Sequence, residues 1–146
     1  MKETKQREIK FRAWDKIQEK MYAVAGISPH NEIMVSEKIN SGRQWYLVED
    51  IHIKKYQQYG HGDVVLQQFT GLKDKNGEEI YEGDVVRENN ELGVSDLHYE
   101  IGYKDGHTSM TGINKGNTYD RHGIWNLISS LEIIGNIYSN PELLAP

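Results

Sequence analysis

Cysteine is absent from this chain, and its absence removes several kinds of chemistry. The 146 residues include no cysteine, so a disulfide, a thiolate nucleophile, a cysteine-based zinc site and an iron–sulfur cluster are excluded. Long hydrophobic runs are also absent: no window approaches the roughly 18 apolar residues of a membrane-spanning helix. The first twelve residues, MKETKQREIKFR, contain no apolar signal-peptide core. The composition therefore predicts a soluble protein and fits a reducing cytoplasm.

A broad excess of basic residues is missing as well. The formal net charge is -5. Residues 1–20 hold seven Lys/Arg against four Asp/Glu, whereas residues 49–100 hold five against twelve. Because a protein that neutralises duplex phosphates needs an extended basic surface, this distribution argues against tight binding to duplex DNA. The N-terminal basic residues are typical of a solvated strand face.

Motifs that mark common catalytic and ligand-binding sites are not found. The chain lacks a Gly-x-Ser-x-Gly nucleophile turn, a phosphate loop ending in Gly-Lys-Ser/Thr, a His-Glu-x-x-His motif and an EF-hand loop. No set of three or four metal ligands is visible among the histidines, which are His30, His52, His61, His98, His107 and His122. We therefore expect no enzymatic activity, no cofactor and no metal site. A hydrolase without a short motif would require a pocket of converging titratable groups.

The chain does contain many short segments with the period-two pattern of β-strands. The predicted strands are Glu8–Trp14, Lys20–Val24, Glu32–Ser36, Gln44–Val48, Val64–Phe69, a strand entered at Val85, His98–Tyr103, His107–Ile113 and Glu132–Tyr138. Trp125–Leu131 favours one short helix, and Glu49–Tyr59 fits either a strand or a short helix. These elements predict a mainly β fold of small bent sheets, resembling a partly open SH3-like barrel, with an N-terminal β-hairpin region and minor helix.

Turn signals divide the chain and define its hairpins. The glycine-rich stretch at residues 60–63 marks a boundary between an N-terminal β region, residues 1–66, and residues 67–146, although one compact domain stays possible. Asn76-Gly77 predicts a two-residue type I′ hairpin turn with both φ angles positive, and Asp105-Gly106 predicts a second hairpin. Glu82-Gly83-Asp84 predicts a turn into the strand at Val85. Asn140 is predicted to cap a final turn that begins at Pro141.

The acidic residues around the first hairpin invite a catalytic or cation-binding interpretation. They are Asp74, Glu78, Glu79, Glu82 and Asp84. Solvated carboxylates are expected beside a tight turn, however, and Asp84 is interpreted as a turn former that accepts backbone N–H bonds. Core packing is the expected role of Trp14, Trp125 and Tyr81.

Three sequence blocks resemble the YopX family of small phage and prophage proteins. They are REIKFRAWDKIQEKMY at Arg7–Tyr22, TGLKDKNGEEIYEGDVV at Thr70–Val86 and LEIIGNIYSNPELL at Leu131–Leu144. Three blocks in the same order, covering about a third of the chain, are more specific than one short motif. The resemblance implies a fold, a phage context and, with it, the cytoplasm of a bacterial host. It implies no catalytic residues, since the activity of the family is unassigned.

We therefore predict a non-enzymatic binding module, with self-association into a homo-oligomer as the first candidate and an unknown phage or host protein as another partner. The three Trp and nine Tyr residues suit a recognition surface as well as a core. The alternative is a nucleic-acid accessory protein that uses the basic N-terminal hairpin, where Arg7, Lys10, Arg12 and Trp14 are interleaved.

Overall fold

The computed structural model describes residues 8–27, 33–39, 42–47, 64–90, 93–113, 120–122 and 128–144. These residues form strands β1 Phe11–Asp15, β2 Lys20–Ile27, β3 Ile33–Ile39, β4 Gly42–Leu47, β5 Val64–Lys73, β6 Glu79–Tyr81, β7 Asp84–Asn90, β8 Gly93–Lys104, β9 His107–Gly112, β10 Asp120–His122 and β11 Leu131–Asn136. Two 3-10 turns span Ile128–Ser130 and Pro141–Leu144.

The prediction of a mainly β fold is confirmed. The described strands build antiparallel sheets that are not closed into a barrel. The SH3-like comparison therefore stays an analogy. The predicted segments Glu49–Tyr59 and residues 60–63 lie outside the described residues, as does Trp125. In the described part of the segment that was predicted as a short helix, Ile128–Ser130 forms a 3-10 turn and Leu131 begins β11.

The chain divides into two compact units, one of Lys10–Gln67 and one of Met1–Ile9 with Gln68–Pro146. Whether residues 1–66 and 67–146 fold as separate regions, as predicted, stays a prediction. In the Lys10–Gln67 unit the strand order is β4, β3, β2, β1 and the first part of β5. Its core consists of Ala13, Tyr22 and Val35, packed against Val24, Ile33 and Val64.

The predicted N-terminal hairpin is present. β1 pairs with β2 so that Ala13 lies opposite Tyr22. The turn between the strands is held by Asp15, whose buried Oδ1 accepts hydrogen bonds from the backbone N–H groups of Ile17 and Gln18 at 2.9 and 3.0 Å. A carboxylate that satisfies two turn N–H groups explains why a polar side chain is buried here.

The other unit contains a five-stranded sheet in the order β10, β9, β8, β7, β11. Its core consists of six buried side chains, Ile80, Val86, Tyr99, Ile101, Met110 and Leu131, with Leu72 and Ile133 packed against them. The β8–β9 hairpin turns at Asp105 and Gly106, whose φ angles are 50° and 84°, as a type I′ turn requires. The predicted second hairpin is thus confirmed.

The first hairpin connects β5, which contains Leu72, to β6, which contains Ile80, but its turn is not the predicted one. Only Gly77 has a positive φ, 82°, and Asn76 does not. The N–H of Gly77 donates to the carbonyl of Asp74, and the N–H of Asp74 donates to the carbonyl of Glu78. This pattern is a type I turn followed by a left-handed glycine, the usual three-residue hairpin loop. The prediction of two positive φ angles was wrong, because the Asp74 side chain holds the turn in the other geometry.

Candidate functional site

Asp74 is the centre of a hydrogen-bond network that holds the first hairpin. Its Oδ1 accepts the N–H groups of Asn76 and Glu78 at 2.8 and 3.0 Å. Its Oδ2 accepts the N–H of Ile133, in β11, at 3.1 Å. The side chain is buried. A carboxylate that accepts three backbone N–H groups fixes the loop.

The outer edge of β11 is covered by neighbouring turns of the same unit. The carbonyl of Leu131 accepts a hydrogen bond from the N–H of Lys75 at 2.9 Å, and Asp74 binds the N–H of Ile133. The N–H of Asn136 donates to Oδ1 of Asn140 at 3.2 Å. Edge strands with free N–H and C=O groups recruit other strands. These three contacts therefore protect β11 from pairing with a second chain.

Asn140 has a different role from the predicted cap. The 3-10 turn does begin at Pro141, as predicted, and the backbone carbonyl of Asn140 accepts the N–H of Leu143 at 3.0 Å. The Asn140 side chain instead reaches back to Asn136. The Asn140 side chain also occupies the space next to Gly135. A Cβ added to Gly135 would lie only 2.7 Å from Oδ1 of Asn140. The cap prediction missed this contact because it considered only the residues that follow Asn140.

Asp84 and Asn136 form a second buried network. Oδ2 of Asp84 accepts the N–H of Tyr81 at 2.8 Å, and Oδ1 accepts Nδ2 of Asn136 at 3.3 Å. Oδ1 of Asn136 accepts the N–H of Tyr138 at 3.0 Å. Gly83, in the same turn, has a φ of 86°. The interpretation of Asp84 as a turn former is confirmed, and so is the Glu82-Gly83-Asp84 turn.

Glu132 organises a polar cluster on the surface of the five-stranded sheet. Its Oε2 accepts Nη2 of Arg87 at 2.8 Å and Nδ2 of Asn89 at 2.9 Å, and it lies 3.6 Å from Nζ of Lys75. The hydrogen bonds from Arg87 and Asn89, with the nearby positive charges, lower the pKa of Glu132. Because its charged partners already neutralise it, this carboxylate is a poor proton donor or acceptor near neutral pH.

The described members of the predicted nucleic-acid surface do not form one exposed surface. Arg7 lies outside the described residues, and Lys10 is half-buried. Arg12 is half-buried, and its Nε donates to Oε1 of Gln67 at 2.7 Å. Trp14 is only 6% exposed, in agreement with the expectation that it packs inside. A ring with so little exposed surface does not offer a face on which a base can stack.

A different feature of the same unit was missed by the sequence reasoning. In β2 the residues from Met21 to Ile27, MYAVAGI, are all uncharged and apolar apart from the Tyr22 hydroxyl. Pairing with β3 places Ala23 opposite Ser36 and Gly26 opposite Met34, on the side of the sheet away from Val24 and Val35. We call Met21, Ala23, Ala25, Gly26 and Met34 the outer face. The signal was available, because a half-exposed strand normally alternates apolar and polar residues.

The outer face is partly open. Ala23 and Ala25 are exposed, and Met34 is 38% exposed. Nothing lies within 4 Å of the position that a Cβ on Gly26 would occupy. Exposed apolar side chains that are contiguous on one face mark interaction surfaces more often than single exposed residues do.

Among the described residues, no three His, Asp or Glu side chains converge in a way that could hold a metal ion. His98 and His107 are not opposite each other: His107 pairs with Lys104, while His98 pairs with Arg87. No described helix is long and apolar enough to cross a membrane.

Comparison with known proteins agrees with the resemblance of the three blocks. The model of the family described as YopX protein matches residues 10–145. The fold is similar to protein EF1440 from Enterococcus faecalis, at 26% identity and a TM-score of 0.59 over 95% of this chain and 99% of that one. It is also similar to protein yopX from Bacillus subtilis, at 17% identity and a TM-score of 0.55 over 94% and 96%. At that identity the second likeness concerns the fold alone. No curated protein matches the chain.

Proposed function

The chain belongs to the YopX family, and we propose that it is a non-enzymatic binding module that self-associates through the outer face of β2 and β3. The observation that carries this proposal is the row of uncharged residues on that face, with Ala23, Ala25 and Met34 exposed. Burying such a face against a partner removes apolar surface from water at about 25 cal/mol per Å². Met34 adds a flexible side chain that adapts to the opposing surface.

A second copy of the chain suits this face for two reasons. The β2 strand carries no charge between Met21 and Ile27, so in two copies related by a two-fold axis this strand brings no like charges together. Arg12 of β1, which pairs opposite Ala23, is half-buried and donates to Gln67. The centre of the outer face consists of the small residues Ala23, Ala25 and Gly26, which let two sheets approach closely. Edge-to-edge pairing through β11 is disfavoured, because its outward backbone groups already have partners.

The proposal that the chain is not an enzyme is supported by the use of its buried carboxylates. Asp74 and Asp84 bind backbone N–H groups, and Asp15 does the same in its own turn. Each therefore has a structural role that would be lost if it changed protonation during a reaction. The nucleic-acid alternative gains no comparable support, since Trp14 is buried and Arg12 is bonded to Gln67. Action in the cytoplasm of a bacterial host during phage or prophage life follows from the resemblance alone and stays a prediction.

The test is to place a charge on the outer face and measure the mass in solution. Ala23→Lys and Met34→Lys should each shift the protein toward the monomer in sedimentation velocity, because a buried unpaired ammonium is costly. Asn76→Lys, at an exposed turn position of the other unit, is the matched control and should leave the mass unchanged. Circular dichroism confirms that the variants fold. If both outer-face variants sediment like the parent, self-association does not use this face.

A further inference from the structure

The loop of the first hairpin contains the one Asn-Gly pair of the chain, Asn76-Gly77, and such a pair can react without an enzyme. The backbone nitrogen of Gly77 attacks Cγ of Asn76 and closes a succinimide ring. The side-chain nitrogen leaves as ammonia, together with the proton of the Gly77 N–H. Water then opens the ring at either carbonyl, so that Asn76 becomes aspartate or isoaspartate. Glycine favours the attack because it has no β-carbon to hinder its nitrogen.

The group that would be attacked is accessible. Asn76 and Gly77 are both exposed. Within the described part of the chain, the side-chain amide of Asn76 has no hydrogen bond, and its backbone N–H donates to Asp74. Nothing lies within 4 Å of the position that a Cβ on Gly77 would occupy. Neither packing nor hydrogen bonding therefore shields the Asn76 carboxamide from attack or from water.

The attacking nitrogen, in contrast, is held in place. The N–H of Gly77 donates to the backbone carbonyl of Asp74 at 3.0 Å. On either side of it, the N–H groups of Asn76 and Glu78 donate to Oδ1 of Asp74. The reaction requires the Gly77 nitrogen to lose its proton and turn toward the side chain of Asn76, so its hydrogen bond must break first. The closed loop thus opposes the reaction, and a local opening of the hairpin permits it.

We infer that Asn76-Gly77 is a deamidation site which the closed hairpin protects, and that its conversion to isoaspartate uncovers the edge of β11. In isoaspartate the main chain runs through the former side chain, which adds a methylene group to the backbone inside the loop. Oδ1 of Asp74 then loses the spacing at which it holds two N–H groups.

The same loop covers β11. Oδ2 of Asp74 accepts the N–H of Ile133, and the N–H of Lys75 donates to the carbonyl of Leu131. A loop that no longer closes releases both backbone groups, and a strand edge with free N–H and C=O groups can pair with another strand. The inference does not depend on the outer face or on self-association through it.

The first experiment compares deamidation of the full chain at mildly alkaline pH when it is folded and when it is unfolded in guanidinium chloride. Peptide mapping by mass spectrometry follows Asn76 and separates aspartate from isoaspartate. We expect the folded chain to react at least about tenfold more slowly. Asp74→Ala should bring the folded rate to within about threefold of the unfolded one. Lys75→Ala, which keeps the backbone bonds of the loop, is the matched control and should react like the parent.

Equal rates in the folded and unfolded parent overturn the protection by the hairpin, and so does a folded Asp74→Ala variant that reacts as slowly as the parent. Circular dichroism checks that both variants fold. The comparison of folded with unfolded parent decides this part of the inference even if Asp74→Ala does not fold.

The second experiment measures amide hydrogen exchange in the isoaspartate form, isolated by native chromatography. The amides of Ile133 and Lys75 should exchange at least about tenfold faster than in the parent, because their acceptors are displaced. Asn76→Asp carries the same new charge on an ordinary backbone and should exchange like the parent. Unchanged exchange in the isoaspartate form, or equally fast exchange in Asn76→Asp, would overturn the claim that the lengthened backbone uncovers β11.

Discussion

Removing the Asp74 carboxylate should destabilise the fold strongly, because it deprives three backbone N–H groups of their acceptor. Hydrogen bonds to charged groups contribute about 1.5–3 kcal/mol each. Asn76 and Glu78 are exposed, so water can replace the acceptor for their amides. The amide of Ile133 is in a half-buried residue of β11 and has less access to water. For Asp74→Ala we therefore expect a loss of about 2–4 kcal/mol, at the upper end of single substitutions.

The assay is urea unfolding followed by fluorescence, with thermal unfolding as a second reading. A loss of that size corresponds to a decrease of about 4–16 °C in Tm for a chain near 150 residues. Asp74→Asn keeps one acceptor oxygen but turns an N–H group toward a donor, so its loss should be smaller than that of Asp74→Ala and still measurable. Asn76→Ala, at an exposed position of the same turn, is the control and should stay within about 0.5 kcal/mol of the parent.

Amide hydrogen exchange locates the effect. In Asp74→Ala the amide of Ile133 should exchange faster than in the parent, since its acceptor has been removed, and so should the amide of Lys75, which bonds to Leu131. The reasoning is refuted if Asp74→Ala unfolds within about 0.5 kcal/mol of the parent, or if the Ile133 amide keeps its protection.

Three further predictions follow from the same structure. Gly77→Val should destabilise the fold by about 1–3 kcal/mol, because a β-branched residue is forced to a positive φ, and an unchanged Tm would contradict the turn assignment. Burial raises the pKa of Glu100 in the folded state above its value in the unfolded state. Between these two pKa values the folded state binds more protons, so stability falls as the pH rises, and the loss of stability is complete above the pKa of the folded state. Glu100→Gln should therefore stabilise the fold at pH 7 and match the parent in acid below the ordinary glutamate range, whereas Glu132→Gln, which removes a carboxylate of lowered pKa, should destabilise at pH 7. Urea unfolding across pH measures both changes in stability. Destabilisation by Glu100→Gln or stabilisation by Glu132→Gln at pH 7 would refute the assigned pKa directions. Duplex DNA should not bind at physiological salt with a Kd below about 1 μM, the limit of typical non-specific binding, as fluorescence anisotropy can measure.

The strands were more predictable than the contacts between them. Period-two alternation located β1, β2 and the β8–β9 hairpin because each depends on neighbours in sequence. The geometry of the first hairpin turn did not follow from Asn76-Gly77, because Asp74 holds both its own turn and Ile133, 59 positions away. Local rules for dipeptides do not contain that contact.

The candidate site shows the same limit. The alternation in β1 suggested that Arg12 and Trp14 share a solvated basic surface. The two residues do lie on the same face of the strand. Whether that face is covered depends on distant residues, such as Gln67, which binds Arg12. The outer face of β2 was readable in advance, since MYAVAGI breaks the expected alternation while its strand is half-exposed.

The most direct test of the central claim is the mass of the parent protein by multi-angle light scattering over a wide range of concentrations. The chain has a mass of 16.9 kDa. Self-association through the outer face predicts a mass that rises to a multiple of this value, with total buried area on the order of 1,200–2,000 Å² for a stable contact. A mass of one chain at every concentration would contradict the account and leave the outer face to a different protein.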